Sequence, residues 1–230
     1  MSVPRVGTGS TAGQVFFQTF KTKPVPARTG TVFVVGLTGT FGSGKTTVGR
    51  LLKRSGAVLV MDSDRIVDEV FCPNHPILGR IKQLFNIRGR AERKQIAEIV
   101  FSDSRRRKQL ESIIHPYVFR RIRSEMRRVR KSIVVLEIPL LFETGSDRFC
   151  DVTVAVVAEK RQILKRLSKQ GVANDQICAR IRAQWSQAEK KRRADFFIHN
   201  SGSKAELIRN VKLLWRKLKS VLQTDRIKGA

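Results

Sequence analysis

One short segment near the start of the chain constrains the fold more than any other part of the sequence. Residues 39–46 read Gly-Thr-Phe-Gly-Ser-Gly-Lys-Thr and fit the pattern G-x-x-x-x-G-K-[ST] of a phosphate-binding loop (P-loop). The apolar run 31–37 before it predicts a buried parallel strand. Val48, Leu51 and Leu52 after it fall on one face of a predicted helix. A strand, a glycine-rich loop and a helix in this order predict a site for a nucleoside triphosphate.

The residue types of this loop suit the chemistry of phosphate. Glycines allow the backbone N–H groups to curl around an anion without a side chain in the way. Lys45 adds a positive charge toward the terminal phosphates, and the Thr46 hydroxyl is suited to hold Mg²⁺. The alternative is an ordinary glycine-rich turn with a solvated lysine, which would leave the flanking strand and helix as coincidences.

The net charge of the chain is unusual for a metabolic enzyme. Its 230 residues include 46 Lys+Arg and 19 Asp+Glu, a formal net charge of +27. Such an excess is typical of proteins that bind nucleic acid, and it also suits an enzyme whose substrates are polyanions. The charge alone does not separate these two interpretations.

Hydropathy and cysteine spacing indicate the setting. No apolar run approaches the length of a membrane span, so we expect a soluble protein without a membrane partner. Cys72, Cys150 and Cys178 form no C-x-x-C pair, which argues against a disulfide framework or a zinc site. A reducing cytoplasm is the expected location. The sequence contains no signal for a particular oligomeric state.

Alternating strand and helix signals predict one α/β domain over residues 31–230. Further buried strands are predicted at 57–61, 132–138, 152–157 and 196–198, which gives a parallel five-stranded sheet covered by helices. Basic helical sequence fills about 77–131 and 159–191. Residues 1–30 contain basic residues but no acid, and we expect a disordered or loosely attached extension. A transit peptide shares that composition.

Three carboxylates lie at or just after the carboxyl ends of predicted strands, where ligands bind in open α/β sheets. Asp62 and Asp64 come after the second strand, and a carboxylate there could accept the proton of a phosphoryl acceptor. Asp62 could equally cap the next helix while Asp64 complements its dipole. Glu137 closes the third strand and could order Mg²⁺, or it could simply face solvent.

A histidine and a group of arginines are further candidates. Pro116 predicts a helix start, because proline is best tolerated at the first helical position, and this would put His115 at the helix mouth. A lone histidine is more often a cap or a packed polar group than a ligand. Arginines in the second basic stretch could close over ATP or form a solvated helix face. They are Arg161, Arg166, Arg180 and Arg182.

Several motifs together resemble the dephospho-CoA kinase family of P-loop kinases. The similarity rests on residues 36–47, Asp62-Ser63-Asp64, His115-Pro116 and the segment Pro139-Leu140-Leu141-Phe142-Glu143. Gln184, Lys190, Ala194-Asp195 and Ile198-His199-Asn200 are similar to the end of that family. The resemblance covers about residues 32–218 and implies a three-layer, nucleoside-kinase-like core. It also implies a helical substrate domain at about 66–131 and a helical lid at about 159–192.

The resemblance implies phosphorylation of the ribose 3′-hydroxyl of dephospho-coenzyme A by ATP with Mg²⁺. It assigns Asp64, Lys45 and Arg166 to catalysis, Asp64, His115 and Glu143 to the acceptor, and Thr46 to Mg²⁺. Glu137 stays a second candidate for Mg²⁺ because of its place at the end of the third strand. The implied ATP-binding residues are Gly39, Gly42, Ser43, Gly44, Lys45, Thr46 and Thr47. A P-loop ATPase that mainly binds nucleic acid, or another metabolite kinase, is the alternative. Few aromatic residues and no nucleic-acid motif make nucleic acid the less favoured partner.

The lid region departs from the family pattern. The family usually has a second arginine shortly after the first, followed by an acid, where this chain reads Ser168-Lys169-Gln170-Gly171. Lys169 could substitute, although an ammonium cannot make the bidentate contact of a guanidinium.

Overall fold

The computed structural model describes residues 32–56, 59–89, 95–96, 99–100, 103–128 and 133–228. The predicted extension at 1–30 lies outside the described residues. A five-stranded, fully parallel sheet forms the centre, in the order β2-β3-β1-β4-β5. The predicted α/β class with a parallel five-stranded sheet is therefore confirmed. The strands are β1 (Phe33–Gly39), β2 (Leu59–Asp62), β3 (Ile133–Glu137), β4 (Val152–Val157) and β5 (Phe196–His199).

Helices connect the strands and cover both faces of the sheet. Helix α1 follows the P-loop, α2 to α4 lie between β2 and β3, and α5 to α7 lie between β4 and β5. Their bounds are α1 (Lys45–Arg54), α2 (Ser63–Val70), α3 (Pro76–Phe85), α4 (Ser104–Arg127), α5 (Lys160–Ser168), α6 (Asn174–Arg182), α7 (Gln187–Arg193) and α8 (Lys204–Lys228). In the described part of the chain, no helix is both long and apolar enough to span a membrane.

Alternation along the strands divides the core into two layers. Val35 and Leu37 of β1 point to the face covered by α1 and α8, where Leu214 is fully buried. Val34, on the opposite face, packs in the cluster that includes Ile114 of α4. Because both faces are covered, the strands are apolar at nearly every position, as buried parallel strands must be.

The register brings three strand ends to one edge. Leu37 of β1 and Asp62 of β2 are both paired with Glu137 of β3. Since all strands run in the same direction, the P-loop, the Asp62 segment and Glu137 emerge side by side at the carboxyl end of the sheet.

The expected helix start at Pro116 is wrong. Pro116 lies inside α4, so His115 is in mid-helix rather than at a helix mouth. Proline removes one backbone N–H and normally breaks a helix. Here Pro116 and Ser112, whose carbonyl loses its helical donor, are on the exposed face, so water can satisfy that carbonyl. The buried residues Ile114 and Val118 on the other face hold the helix together.

Candidate active site

The P-loop is held open by two glycines in left-handed conformations. Gly42 has φ 74° and Gly44 has φ 97°, values that side chains of other residues disfavour. A Cβ at Gly44 would also overlap the amide of Asn200, which donates from Nδ2 to the Ser43 carbonyl at 2.8 Å. The loop therefore keeps its curl because glycine conformation and a buried asparagine act together.

Lys45 lies at the start of α1 with its ammonium turned back into the loop. Its Nζ donates to the carbonyl of Gly39 at 2.8 Å and to that of Thr40 at 3.2 Å. Burial lowers the pKa of Lys45 to about 8, and the nearby Asp64 carboxylate opposes this shift. The loop thus holds a partly desolvated cation, which has a strong electrostatic attraction for an incoming phosphate.

Thr46 and Glu137, which the sequence assigns to Mg²⁺, are in direct contact. The Thr46 hydroxyl donates to Oε2 of Glu137 at 3.1 Å, and Glu137 is only 4% exposed. The interpretation of Glu137 as a solvent-facing carboxylate is therefore wrong. Adjacent oxygen ligands of an octahedral Mg²⁺ lie about 3 Å apart, given bonds of about 2.1 Å. The two oxygens therefore fit neighbouring positions around one magnesium ion.

Gly49 of α1 makes room for this carboxylate, and sequence reasoning did not identify it. A Cβ at Gly49 would overlap Oε1 of Glu137 and approach Val60. Burial raises the pKa of Glu137, while the hydrogen bond from Thr46 opposes the shift. A glycine in the interior of a helix lowers helix stability relative to alanine. Its presence there was the signal in the sequence that another group packs closely against this position.

The two aspartates after β2 have different surroundings. Asp62 caps α2, because its Oδ1 accepts from the backbone N–H of Asp64 at 2.9 Å. The capping interpretation of Asp62 is thus confirmed. Asp64 is in the first turn of α2, is exposed, and lines a cavity. Of the pair, Asp64 is the one positioned to meet a ligand.

That cavity, of about 200 Å³, lies between α2, α4 and the segment after β3. We call it the acceptor cavity. Asp64 and His115 both line it, together with apolar residues such as Val118 and Leu140. Burial lowers the pKa of His115, an effect that Glu111 opposes, so the imidazole is neutral at pH 7. The structure thus brings Asp64 and His115 to one pocket although they are distant in sequence.

Glu143 is not among the residues that line the acceptor cavity. Its Oε1 accepts from Nζ of Lys190 at 2.6 Å and from the backbone N–H of Trp185 at 2.9 Å. Lys190 is fully buried and also donates to the Pro139 carbonyl at 2.7 Å. Since Pro139 does line the cavity, this ion pair supports the cavity wall from behind. Lys190 sits in a basic run where charge and helix period do not distinguish it, and only the family resemblance singles it out.

Arg166 of α5 is anchored next to the P-loop. Its Nη2 donates to the backbone carbonyl of Asn200 at 2.5 Å, and its buried Nη1 has no hydrogen-bond partner among the described residues. Arg180 of α6 lies over the ring of Phe41 at the loop apex, 4.9 Å from its centroid. Lys169, the candidate for the second lid cation, is exposed beyond the end of α5.

Asn200 and Gln184 are polar contacts of the loop to which the sequence assigned no role, although the family resemblance includes both. Gln184 accepts through Oε1 from the backbone N–H of Phe41 at 2.9 Å. Asn200 is 7% exposed and follows β5 directly. A polar residue at the carboxyl end of a strand was the signal that could have identified it.

Comparison with known proteins gives consistent matches over most of the chain. A family model described as dephospho-CoA kinase matches residues 33–206. A dephospho-CoA kinase of Thermus thermophilus is 36% identical over 186 residues, which cover 80% of this chain and 91% of the relative. A dephospho-CoA kinase of Thermobifida fusca is 37% identical over 197 residues, covering 83% of this chain and 98% of the relative.

Solved structures agree with these sequence matches. A crystal structure of a Thermus thermophilus protein superimposes with a TM-score of 0.73 at 35% identity, covering 81% of this chain and 97% of the other. A dephospho-CoA kinase from Campylobacter jejuni gives a TM-score of 0.59 at 26% identity, covering 82% of this chain and 98% of the other.

Proposed function

The chain belongs to the dephospho-CoA kinase family, and we infer that it transfers the γ-phosphate of ATP to the ribose 3′-hydroxyl of dephospho-coenzyme A. The products are coenzyme A and ADP, and the reaction is the last step of coenzyme A synthesis. Nucleic-acid binding is not favoured as the main activity, because relatives that match about four-fifths of the chain are named as kinases.

The P-loop supplies the donor half of the site. We assign ATP binding to Gly39, Gly42, Ser43, Gly44, Lys45, Thr46 and Thr47. Backbone N–H groups and the N-terminus of α1 attract the phosphates. The Lys45 ammonium exchanges its loop carbonyls for phosphate oxygens, which stabilises the negative charge on the group in transfer.

Asp64 is the proposed base. An acceptor bound in the cavity would present its hydroxyl to this carboxylate, which orients the hydroxyl and takes its proton as the bond to phosphorus forms. Neutral His115, on the facing helix, is available to hydrogen-bond the acceptor. Asp64 and Lys45 lie close enough for their charges to interact. The position of Asp64 in the wall of the acceptor cavity, just after the strand end that pairs with Glu137, is the observation that carries the proposal.

Mg²⁺ is proposed to bind at Thr46 and Glu137, whose oxygens already lie at a suitable separation. When bound, the ion neutralises charge on the phosphates.

Arg166 is proposed to bind the nucleotide, because its buried Nη1 lacks a hydrogen-bond partner beside the P-loop among the described residues. Helices α2 to α4 are proposed as the substrate domain and α5 to α7 as the lid. Glu143 is reassigned from acceptor contact to support of the cavity wall.

Cysteine spacing remains the argument for a cytoplasmic location, and Cys72, Cys150 and Cys178 form no disulfide in the described part of the chain. ATP is the nucleotide that the family implies, and dephospho-coenzyme A is the small-molecule partner.

Replacing Asp64 by asparagine tests the mechanism. We expect kcat to fall roughly 100- to 10,000-fold, the usual contribution of a positioned base, with little change in ATP affinity. Steady-state kinetics and calorimetric titration with ATP measure the two quantities. Asp68→Asn removes an exposed carboxylate one turn further along α2 and serves as the control. Near-normal turnover of the Asp64→Asn protein would remove Asp64 from the mechanism.

A further inference from the structure

A second cavity lies beside the first and is cationic. It has a volume of about 390 Å³ and is lined by Arg107 of α4 and by Ala179, Arg182 and Ala183 at the end of α6. We call it the arginine cavity. The two guanidinium groups come from different helices, one in the proposed substrate domain and one in the proposed lid.

The acceptor cavity itself has no cation suited to a phosphorylated substrate. Its polar lining residues are Ser63, Asp64, Glu111, His115, Thr144 and Ser146, and no lysine or arginine is among the lining residues in the described part of the chain. Two of these residues are carboxylates, and His115 is neutral at pH 7. The two carboxylates would repel the diphosphate of an acceptor inside this cavity, so the diphosphate must bind outside it.

The helix α4 connects the two cavities. Arg107 lines the arginine cavity, and Glu111, four residues later, lines the acceptor cavity. Four residues of α-helix advance about 6 Å. Dephospho-coenzyme A carries its diphosphate on the 5′ carbon of the same ribose whose 3′-hydroxyl reacts, so the two groups are separated by a similar distance.

Neither guanidinium is strongly engaged by the protein. Arg107 approaches Glu111 with Nε and Oε1 4.0 Å apart, and its side chain is 55% exposed. Such an exposed pair contributes little free energy. Within the described ranges, no hydrogen bond or ion pair involves the side chain of Arg182. Both groups are therefore available for a phosphate ligand, which planar guanidinium groups bind in a bidentate manner.

We propose that Arg107 and Arg182 bind the diphosphate of the acceptor while its ribose occupies the acceptor cavity. This proposal rests on the function inferred above and adds a subsite to it. The diphosphate bridges α4 and α6, so acceptor binding also draws the lid helix toward the substrate domain. Part of the chain's excess positive charge thereby has a specific role.

The test is the Arg107→Gln/Arg182→Gln double variant. We expect the Kd of dephospho-coenzyme A, measured by calorimetry, and its KM to rise roughly 10- to 100-fold, as for the loss of charge-assisted hydrogen bonds. The KM of ATP should stay near its wild-type value. The salt dependence of acceptor binding should weaken, because two phosphate contacts are lost.

Two further variants control this result. Arg209→Gln/Arg216→Gln removes the same charge from exposed positions of α8, and it should bind the acceptor like the wild type. Arg107→Lys/Arg182→Lys keeps the charge and should weaken binding less than the glutamine pair. An unchanged Kd for the glutamine pair, or an equal rise in the α8 control, would overturn the subsite. Absence of coenzyme A formation by the wild type would instead refute the proposed function.

Discussion

Replacement of Lys190 by methionine removes the cation of a buried ion pair and leaves the Glu143 carboxylate behind. Lys190 is fully buried, and Glu143 is 14% exposed. In the variant, Oε1 of Glu143 would keep the Trp185 N–H, while the buried Oε2 already lacks a hydrogen-bond partner within the described ranges. Breaking a buried pair on one side costs about 3–5 kcal/mol, since a charge stays uncompensated in a poorly solvated place.

This cost converts to a measurable change in thermal stability. For a chain of this size each kcal/mol lowers Tm by about 2–4 °C, so we expect a loss of roughly 6–20 °C. Differential scanning calorimetry measures it. Lys212→Met, at an exposed position of α8, is the matched control and should change the free energy of unfolding by no more than about 0.5 kcal/mol.

The double variant Lys190→Met/Glu143→Gln separates charge from packing. Because glutamine removes the orphaned charge, the double variant should be more stable than Lys190→Met alone. Loss of Lys190 should also raise the KM of the acceptor, because Lys190 holds Pro139 in the wall of the acceptor cavity. In the double variant this KM should return part of the way to the wild-type value. If Glu143→Gln destabilises the Lys190→Met protein as much as it destabilises the wild type, the two residues are not coupled and the reasoning is refuted.

Two other predictions concern the donor half of the site. Gly49→Ala should raise the Mg²⁺ concentration for half-maximal activity severalfold, because a Cβ there displaces the Glu137 carboxylate. The control is Gly79→Ala, where a Cβ meets nothing within 4 Å, and it should leave this Mg²⁺ concentration unchanged. An unaltered Mg²⁺ dependence in Gly49→Ala would contradict the assignment of Glu137. The kcat/KM for ATP should be flat to about pH 8 and then fall, since Lys45 in the free protein has a pKa of about 8 and is charged only below it. A profile that stays flat through pH 9.5 would show that Lys45 keeps its charge in the free protein.

Local signals in the sequence predict the sheet well. The predicted strand at 152–157 has the observed bounds of β4, while β1 begins at Phe33 and ends at Gly39, two residues later at each end than expected. The strands are recognisable because both faces are buried, which makes each one an uninterrupted apolar run. The P-loop is recognisable because its glycines and lysine meet a requirement that few other sequences meet.

Contacts between distant segments could not be predicted in the same way. Proline at 116 gives the same local signal whether it starts a helix or lies on the exposed face of one, and packing of Ile114 and Val118 decides the outcome. Likewise, burial of Lys190 depends on the position of Glu143, 47 residues away. The charge and helical periodicity around a lysine describe only its own segment of the chain. An ion pair with a distant residue therefore cannot be predicted from them and is recognised only in the three-dimensional structure.

In the inferred reaction, a ribose hydroxyl of dephospho-coenzyme A receives the γ-phosphate of ATP. Incubation of the purified protein with ATP, Mg²⁺ and dephospho-coenzyme A, followed by ³¹P NMR and mass spectrometry of the product, tests it directly. We predict one new phosphomonoester, on the ribose 3′-oxygen, formed in equal amount to ADP. Release of ADP and inorganic phosphate without coenzyme A, at a rate independent of dephospho-coenzyme A, would contradict the claim.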